Sequence, residues 1–170
     1  MPLLATVADP DAGDVRALQW AHREFCLSVT PAENAHALES DAIADPLLTI
    51  YGNHREGVLL AIGALRPIDD NHAEIKSMHT AAAARGQGLG RLMLEQLLAA
   101  AAERGYARVS LETGTADAFA AARAMYVAAG FTPCPPFGDY RETADNTYLT
   151  RHLGGLGGRC RLVPDQPMPN

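Results

Sequence analysis

Three features of the sequence predict a mixed α/β fold whose sheet is antiparallel in one part and parallel in another. Early β-rich runs are separated by turn-forming clusters, and two strongly helical stretches late in the chain each lie between strand-like segments. Between these regions, Arg85-Gly86-Gln87-Gly88-Leu89-Gly90 carries a strand through a glycine-rich turn straight into a helix. Hairpins pair strands antiparallel, whereas helical crossovers return the chain parallel. The 170 residues suffice for one buried core and are too few for two comfortable domains.

In order, residues 3–8 read as a short strand. Asp9-Pro10-Asp11 then supplies helix-start residues for a helix from Asp11 to Leu27, with Val15, Leu18, Gln19, His22 and Phe25 at helical spacing. Thr30-Pro31 offers a cap with proline just inside, which predicts a second helix to about Ile43. Leu47–Tyr51 and Val58–Leu65 are β-rich, separated by residues 52–57 as a hairpin loop, and a second turn cluster, 67–71, precedes the strand that contains Glu74. After the glycine-rich turn, Leu89, Met93, Leu97 and Ala100 mark a helix that stops near Arg104, before Gly105. A strand over 108–113, a helix over 118–129, and strands over 131–140 and 146–153 complete the order β-α-α-β-β-β-α-β-α-β-β. Residues 154–170, rich in glycine and proline, read as a flexible tail after a 1–153 domain.

Composition narrows the function. The hydrophobic fraction of 48% is ordinary, and no apolar run approaches the roughly 18–20 residues of a membrane span. With no secretory signal at the N-terminus, and three cysteines that lack the spacing of a zinc site or disulfide framework, a cytoplasmic protein without a metal is expected. A net charge of −6 argues against a nucleic-acid surface. A single lysine, Lys76, occurs in the chain.

Alternating glycines leave backbone N–H groups unobstructed, and a helix N-terminus adds partial positive charge, so the 85–91 stretch is an anion site. A dinucleotide fold would place glycine or alanine where Arg91 or Met93 stands, and a phosphate loop of the Walker type would need Gly-Lys-Ser/Thr; neither occurs.

Arg85-Gly86-Gln87-Gly88-Leu89-Gly90, followed by Ala122-Arg123-Ala124-Met125-Tyr126-Val127-Ala128-Ala129-Gly130-Phe131, resembles the two signature segments of the GCN5-related N-acetyltransferase (GNAT) superfamily. The first matches Q/R-x-x-G-x-G/A at each defined position, and the second matches A-x-x-L-Y-x-x-x-G-F with Met for Leu. The resemblance, covering residues 3–153, implies a mostly antiparallel central sheet flanked by helices, acetyl-CoA as donor and a small-molecule or amino-acid amine as acceptor. It also makes a homodimer an expected assembly, and leaves a non-catalytic acyl-CoA sensor as the rival on the same fold. The diphosphate would lie on the amides of Gln87, Gly88, Leu89, Gly90 and Arg91 beside Gly86, with the Arg85 and Arg91 side chains adding charge. Met78, His79 and Thr80 occupy the strand whose backbone meets the pantetheine arm. Phe119 stands where many members carry an asparagine, which implies an apolar contact there.

Tyr126 matches the superfamily tyrosine that donates a proton to the departing thiolate, a task suited to a phenol of pKa about 10. Phe119, Arg123 and Tyr126, at i, i+4 and i+7, are expected to share one helical stripe facing the cofactor. Glu74 is the first candidate for general base and Glu112 the second, with a bound water as the alternative and His79 a weaker candidate beside its turn. Asp139, Tyr140 and Glu142 are candidate acceptor-binding residues.

Overall fold

A computed structural model of the chain describes residues 3–35 and 45–154. Its seven strands are β1 (Ala5–Val7), β2 (Thr49–Arg55), β3 (Val58–Asp69), β4 (His72–Thr80), β5 (Arg108–Gly114), β6 (Thr132–Pro133) and β7 (Asn146–His152). Three α-helices, α1 (Gly13–Val29), α2 (Leu89–Glu103) and α3 (Ala120–Ala128), accompany them. All strands join one sheet in the order β1-β2-β3-β4-β5-β7-β6. Every neighbouring pair is antiparallel except β4 and β5.

That exception opens the molecule. β4 and β5 pair only at His72↔Arg108, Ala73↔Val109 and Glu74↔Ser110. Beyond Glu74, β4 stays with β3, whereas β5 stays with β7 as far as Gly114↔Asn146. The β3–β4 register slips between Ile62↔His79 and Ala64↔Lys76, where Ser77 adopts φ 54°. A bulge adds local twist, so β4 leaves its parallel neighbour and a cleft opens between the two strands.

On one side of the sheet, α2 buries Leu89, Met93, Leu94, Leu97 and Leu98 against Leu65, Ile75, Val109, Leu111 and Leu149. Leu97 is fully buried, so Leu97→Ala should cost about 2–5 kcal/mol. Gly63 of β3 permits this close packing, since a Cβ there would lie 2.7 Å from Leu97 Cδ1. A second cluster, with Val15, Ile50, Leu59 and Ile62, seats α1 on β2 and β3.

Several elements depart from the sequence expectation. The loop expected at 52–57 shrinks to a two-residue turn, Glu56-Gly57, both with positive φ (52° and 81°), which matches strand twist in a tight hairpin. Gly52 and Asn53 instead lie buried inside β2: Asn53 donates to Gln96 Oε1 at 2.8 Å, and a Cβ on Gly52 would meet Leu59 at 2.8 Å. Likewise β3 runs on to Asp69, through the turn cluster expected at 67–71, so that only Asp70-Asn71 turns the chain. The strand expected over 131–140 is confined to Thr132–Pro133, because Pro133, Pro135 and Pro136 cannot donate ladder hydrogen bonds. The helix expected from Thr30 shows a 3-10 turn at Ala32–Asn34, and residues 36–44 lie outside the described residues, as does the tail beyond Gly154.

Candidate active site

Between β4 and β5 lies a cavity of about 350 Å³, walled also by α1, α3 and the β6–β7 loop. Its lining brings Arg85, Thr80, His79 and Met78 together with Phe119, Tyr126, Glu112, Glu74 and Tyr140. The glycine-rich stretch opens one end. After a 3-10 turn at Ala82–Ala84, Gly86 and Gly88 both take φ 75°, a left-handed conformation that other residues enter only with strain. Gly88 is the N-cap of α2, and no side chain caps that helix. The amides of the first turn are therefore left for an external acceptor. Arg85, Gly86, Gln87, Gly88 and Arg91 are exposed, while Leu89 anchors the turn in the core. A Cβ on Gly86 or Gly88 would meet nothing within 4 Å. These glycines are thus required by backbone conformation, and the surface above them is open. Such a cradle fits a diphosphate, with Arg85 at its mouth and Arg91 beside it, paired on the surface with Glu95 at 2.8 Å.

Further in, the Tyr126 hydroxyl reaches Met78 Sδ at 3.8 Å, which ties α3 to the bulged part of β4. Burial, followed by the fields of Glu112 and Cys26, pushes its pKa up, so the phenol keeps its proton at any physiological pH. Phe119 also faces the cavity but not from a helical stripe. It lies in the 3-10 turn Asp117–Phe119 ahead of α3, with its ring 5.3 Å from that of Phe25. That ring occupies the space a Cβ on Gly114 would need, at 2.4 Å. Arg123 turns away from the cavity and donates from Nη1 to the carbonyls of Gly114 (2.7 Å) and Ala116 (2.9 Å), bracing the β5–α3 connection. The stripe expected at i, i+4, i+7 is thereby split, because the first turn of the predicted helix is wound as 3-10.

The two candidate bases have different surroundings. Glu74 Oε1 accepts from Lys76 Nζ at 3.1 Å and from the Tyr140 hydroxyl at 2.5 Å. Lys76 Nζ also donates to the Tyr140 oxygen at 2.7 Å, closing a three-residue ring of hydrogen bonds. Among the described residues Glu112 meets no cation directly; its Oε1 accepts from Asn146 Nδ2. Asn146 donates as well to the Asn34 carbonyl at 3.0 Å and accepts from Thr143 Oγ1 at 2.5 Å. Burial raises the Glu112 pKa to about 7, against the opposing pull of Asn146 and Lys76. A carboxyl poised at neutrality is suited to exchange protons there.

His79 stands edge-on to His22, ring centroids 5.4 Å apart, and burial, then Arg85, lowers its pKa, leaving a neutral imidazole. Tyr140 lines the cavity, whereas Asp139 and Glu142 are exposed and lie off its wall. Lys76, Asn146, His22 and Cys26 were missed by the sequence reading. His22 and Cys26 are an i, i+4 pair on the predicted first helix, a spacing that signals a shared face. Nothing local marks Asn146, whose role depends on a partner 34 positions away.

Among the described residues no helix is long and apolar enough to cross a membrane, and no group of three His, Cys, Asp or Glu is placed to hold a metal.

Comparison with known proteins gives the same answer as the geometry. Residues 15–131 match the Acetyltransferase (GNAT) family. The chain is 38% identical to the uncharacterized N-acetyltransferase YedL of Escherichia coli, over 82% of this chain and 87% of that protein. It is 37% identical to the uncharacterized N-acetyltransferase YsnE of Bacillus subtilis, over 78% and 87%. Among solved structures, one from Klebsiella pneumoniae superposes with a TM-score of 0.73 at 22% identity, covering 89% of this chain and 98% of that one. A GNAT family acetyltransferase from Elizabethkingia anophelis, solved with acetyl-CoA bound, superposes at 0.66 and 17% identity with the same coverage. With a family match over residues 15–131 and relatives at 37–38% identity over more than three quarters of the chain, this protein belongs to the GNAT family of acetyltransferases.

Proposed function

We propose that the protein transfers the acetyl group of acetyl-CoA directly to an amine of a small molecule or amino acid, with Glu112 accepting the amine proton and Tyr126 protonating the departing sulfur. The observation that carries this reading is that one cavity is lined by an arginine at the cradle, a phenol held protonated and a carboxyl with a pKa of about 7. Acetyl-CoA supplies an activated acyl group. The amides of residues 87–91 bind its diphosphate, and Met78, His79 and Thr80, on the β4 segment unpaired with β5, line the route of the pantetheine arm.

Glu112 is preferred to Glu74 as base because Glu74 already accepts two strong hydrogen bonds, one from an ammonium. Taking a further proton there would break an ion pair that is largely buried. Glu112 gives up only a neutral amide contact. Once the ammonium has lost one proton to Glu112 its lone pair attacks the acetyl carbonyl; as the C–S bond breaks the sulfur leaves as the thiol with a proton from Tyr126, and the second proton shed by the nitrogen as it becomes the amide restores the phenol.

The test is release of coenzyme A from acetyl-CoA across a panel of amines, with mass spectrometry of the products. Formation of an N-acetyl product by the wild-type protein and its loss in Glu112→Gln supports the assignment. Full turnover in that variant removes Glu112 from the reaction, and acetyl-CoA binding without transfer to any amine removes the amine acceptor.

A further inference from the structure

β4 and β5 are joined at three residue pairs, and the cleft begins where the last of them, Glu74↔Ser110, ends. The closed end of this short seam is held by backbone: Ala107 and Arg108 both donate N–H to the Asn71 carbonyl, at 2.8 and 3.1 Å. The end at which the strands part is held by side chains. His72 Nε2 lies 2.7 Å from Ser110 Oγ, and Arg108 Nη2 lies 3.0 Å from His72 Nδ1. A guanidinium only donates, so Nδ1 carries the lone pair and the ring proton sits on Nε2. His72 therefore donates to Ser110 Oγ, whose own proton goes to Thr150 Oγ1 at 2.8 Å, and Thr150 donates to the Val109 carbonyl at 3.2 Å. Each donor in this chain finds its acceptor, and the chain crosses from β5 to β4, back to β5 and on to β7. His72 and Ser110 are only 4% and 2% exposed, so water does not compete for these bonds. Burial, then the Arg108 charge, lowers the His72 pKa, which keeps the imidazole neutral and able to accept.

We propose that His72 is a positioning residue for acetyl transfer: its bond to Ser110 staples β4 to β5 at the root of the cleft and so fixes the acetyl donor relative to the base. This rests on the transfer proposed above and adds a residue to it. In that reading the acetyl-bearing arm runs along Met78, His79 and Thr80 of β4, whereas Glu112 stands on β5, two positions beyond Ser110 and on the same face of the strand. Among the described residues β4 and β5 share no pair beyond Glu74, so the joint at Ser110 sets how far apart the two sides of the cleft lie. A misplacement of about 1 Å between reacting groups costs about 10²-fold in rate. Phe137, whose ring lies 5.8 Å from that of His72 and 5.2 Å from that of Tyr140, packs the staple against the Tyr140–Glu74 contact. The glycine cradle lies at the other end of the cleft on its own run of backbone. Loosening the staple therefore lowers turnover more than it lowers affinity for coenzyme A.

The experiment measures kcat and KM with the best acceptor of an amine panel, and coenzyme A affinity by calorimetry, in the wild type, His72→Leu, His72→Gln and Ser110→Ala. Each protein is assayed well below its own Tm, where a merely structural role leaves kcat unchanged. In His72→Leu, which keeps an apolar bulk and loses both bonds, kcat falls about tenfold or more while coenzyme A affinity stays within threefold. His72→Gln, whose amide oxygen and N–H reproduce the acceptor and the donor, recovers most of that loss. Ser110→Ala removes the same staple from the β5 side and lowers kcat in the same way; it decides alone if His72→Leu does not fold. A kcat within twofold of the wild type in His72→Leu, or in Ser110→Ala where the leucine variant does not fold, overturns the role of His72 and leaves acetyl transfer intact. Equal losses of kcat and coenzyme A affinity, or a glutamine variant as slow as the leucine one, overturn it too. If the wild type acetylates no amine, the transfer and the role of His72 in it fall together.

Discussion

The two ends of the β4–β5 cleft are built in opposite ways. The cradle end is made of backbone and is mostly local: Thr80 through Arg91 contains its turn, its left-handed glycines and its helix start, and the contacts of its own arginines span five residues (Arg85 Nε to Thr80 O) or four (Arg91 to Glu95), with Arg55 reaching Gln87 from 32 positions away. The acceptor end is made of side chains and is remote. Tyr140 meets Glu74 across 66 positions, Asn146 meets Glu112 across 34, and Asn146 meets Asn34 across 112. An amide cradle recognises any diphosphate-bearing donor, whereas side-chain networks select the acceptor. The first is chemistry that one short run of backbone supplies, and the second depends on residues brought together from distant parts of the chain.

The largest effect expected on this contrast is at the acceptor end. Glu112→Gln should lower kcat/KM by about 10²- to 10³-fold, the range of a general base, while acetyl-CoA affinity measured by calorimetry stays within threefold. In the wild type kcat/KM should fall as pH drops through about 7, as Glu112 takes a proton, and the variant should lose that limb. Stability runs the other way. Between about 4.5 and 7 the folded protein holds a proton that the unfolded chain has released, so stability declines as pH rises through that window. Glu112→Gln removes the decline and should be more stable at pH 8 by on the order of 2 kcal/mol in urea titrations.

Tyr126→Phe comes next, where the two ends meet. Turnover should fall roughly 10- to 100-fold, the worth of a hydrogen bond to a developing charge, with acetyl-CoA affinity little changed. An equal loss in both quantities would make the tyrosine a packing residue instead. At the cradle, Gly88→Asn and Gly88→Asp form a matched pair, since both side chains tolerate the left-handed conformation and the space above Gly88 is open. The aspartate should bind acetyl-CoA roughly tenfold more weakly than the asparagine, about the effect of one charge several ångströms from a diphosphate. Equal affinities would move the phosphates elsewhere.

Asn146→Ala should have a smaller, directional effect. Its amide holds the Glu112 carboxylate in the charged form, so its removal should shift the Glu112-dependent limb of the pH profile upward by up to about one unit. The smallest change is expected for Arg91→Ala. Because Arg91 is exposed and already paired with Glu95, acetyl-CoA affinity should drop about two- to fivefold, and the drop should shrink at high salt.

Legibility in the sequence follows the same division. The glycine-rich turn, α2, and the order of strands and helices around them could be read because local rules act over a few residues: periodicity, left-handed glycine and helix starts. Where the reading failed, a tertiary contact or a missing donor overruled composition. Gly52 and Asn53 look like a loop, yet they are a strand because Leu59 and Gln96 pack and bond there. Residues 131–140 were expected as one strand, yet the prolines hold the segment beyond Pro133 off the sheet, and Tyr140 bonds to Glu74. The expected stripe of Phe119, Arg123 and Tyr126 broke because the helix opens with a 3-10 turn.

By itself, the sequence determined the family, since that resides in two short segments that any reader of spacing can find. Only the tertiary structure distinguished the surroundings of the two glutamates. Their hydrogen-bond partners are Lys76 and Tyr140 for one and Asn146 for the other, and no pattern along the chain reports which of two carboxyls is bonded to an ammonium and which is buried beside a neutral amide.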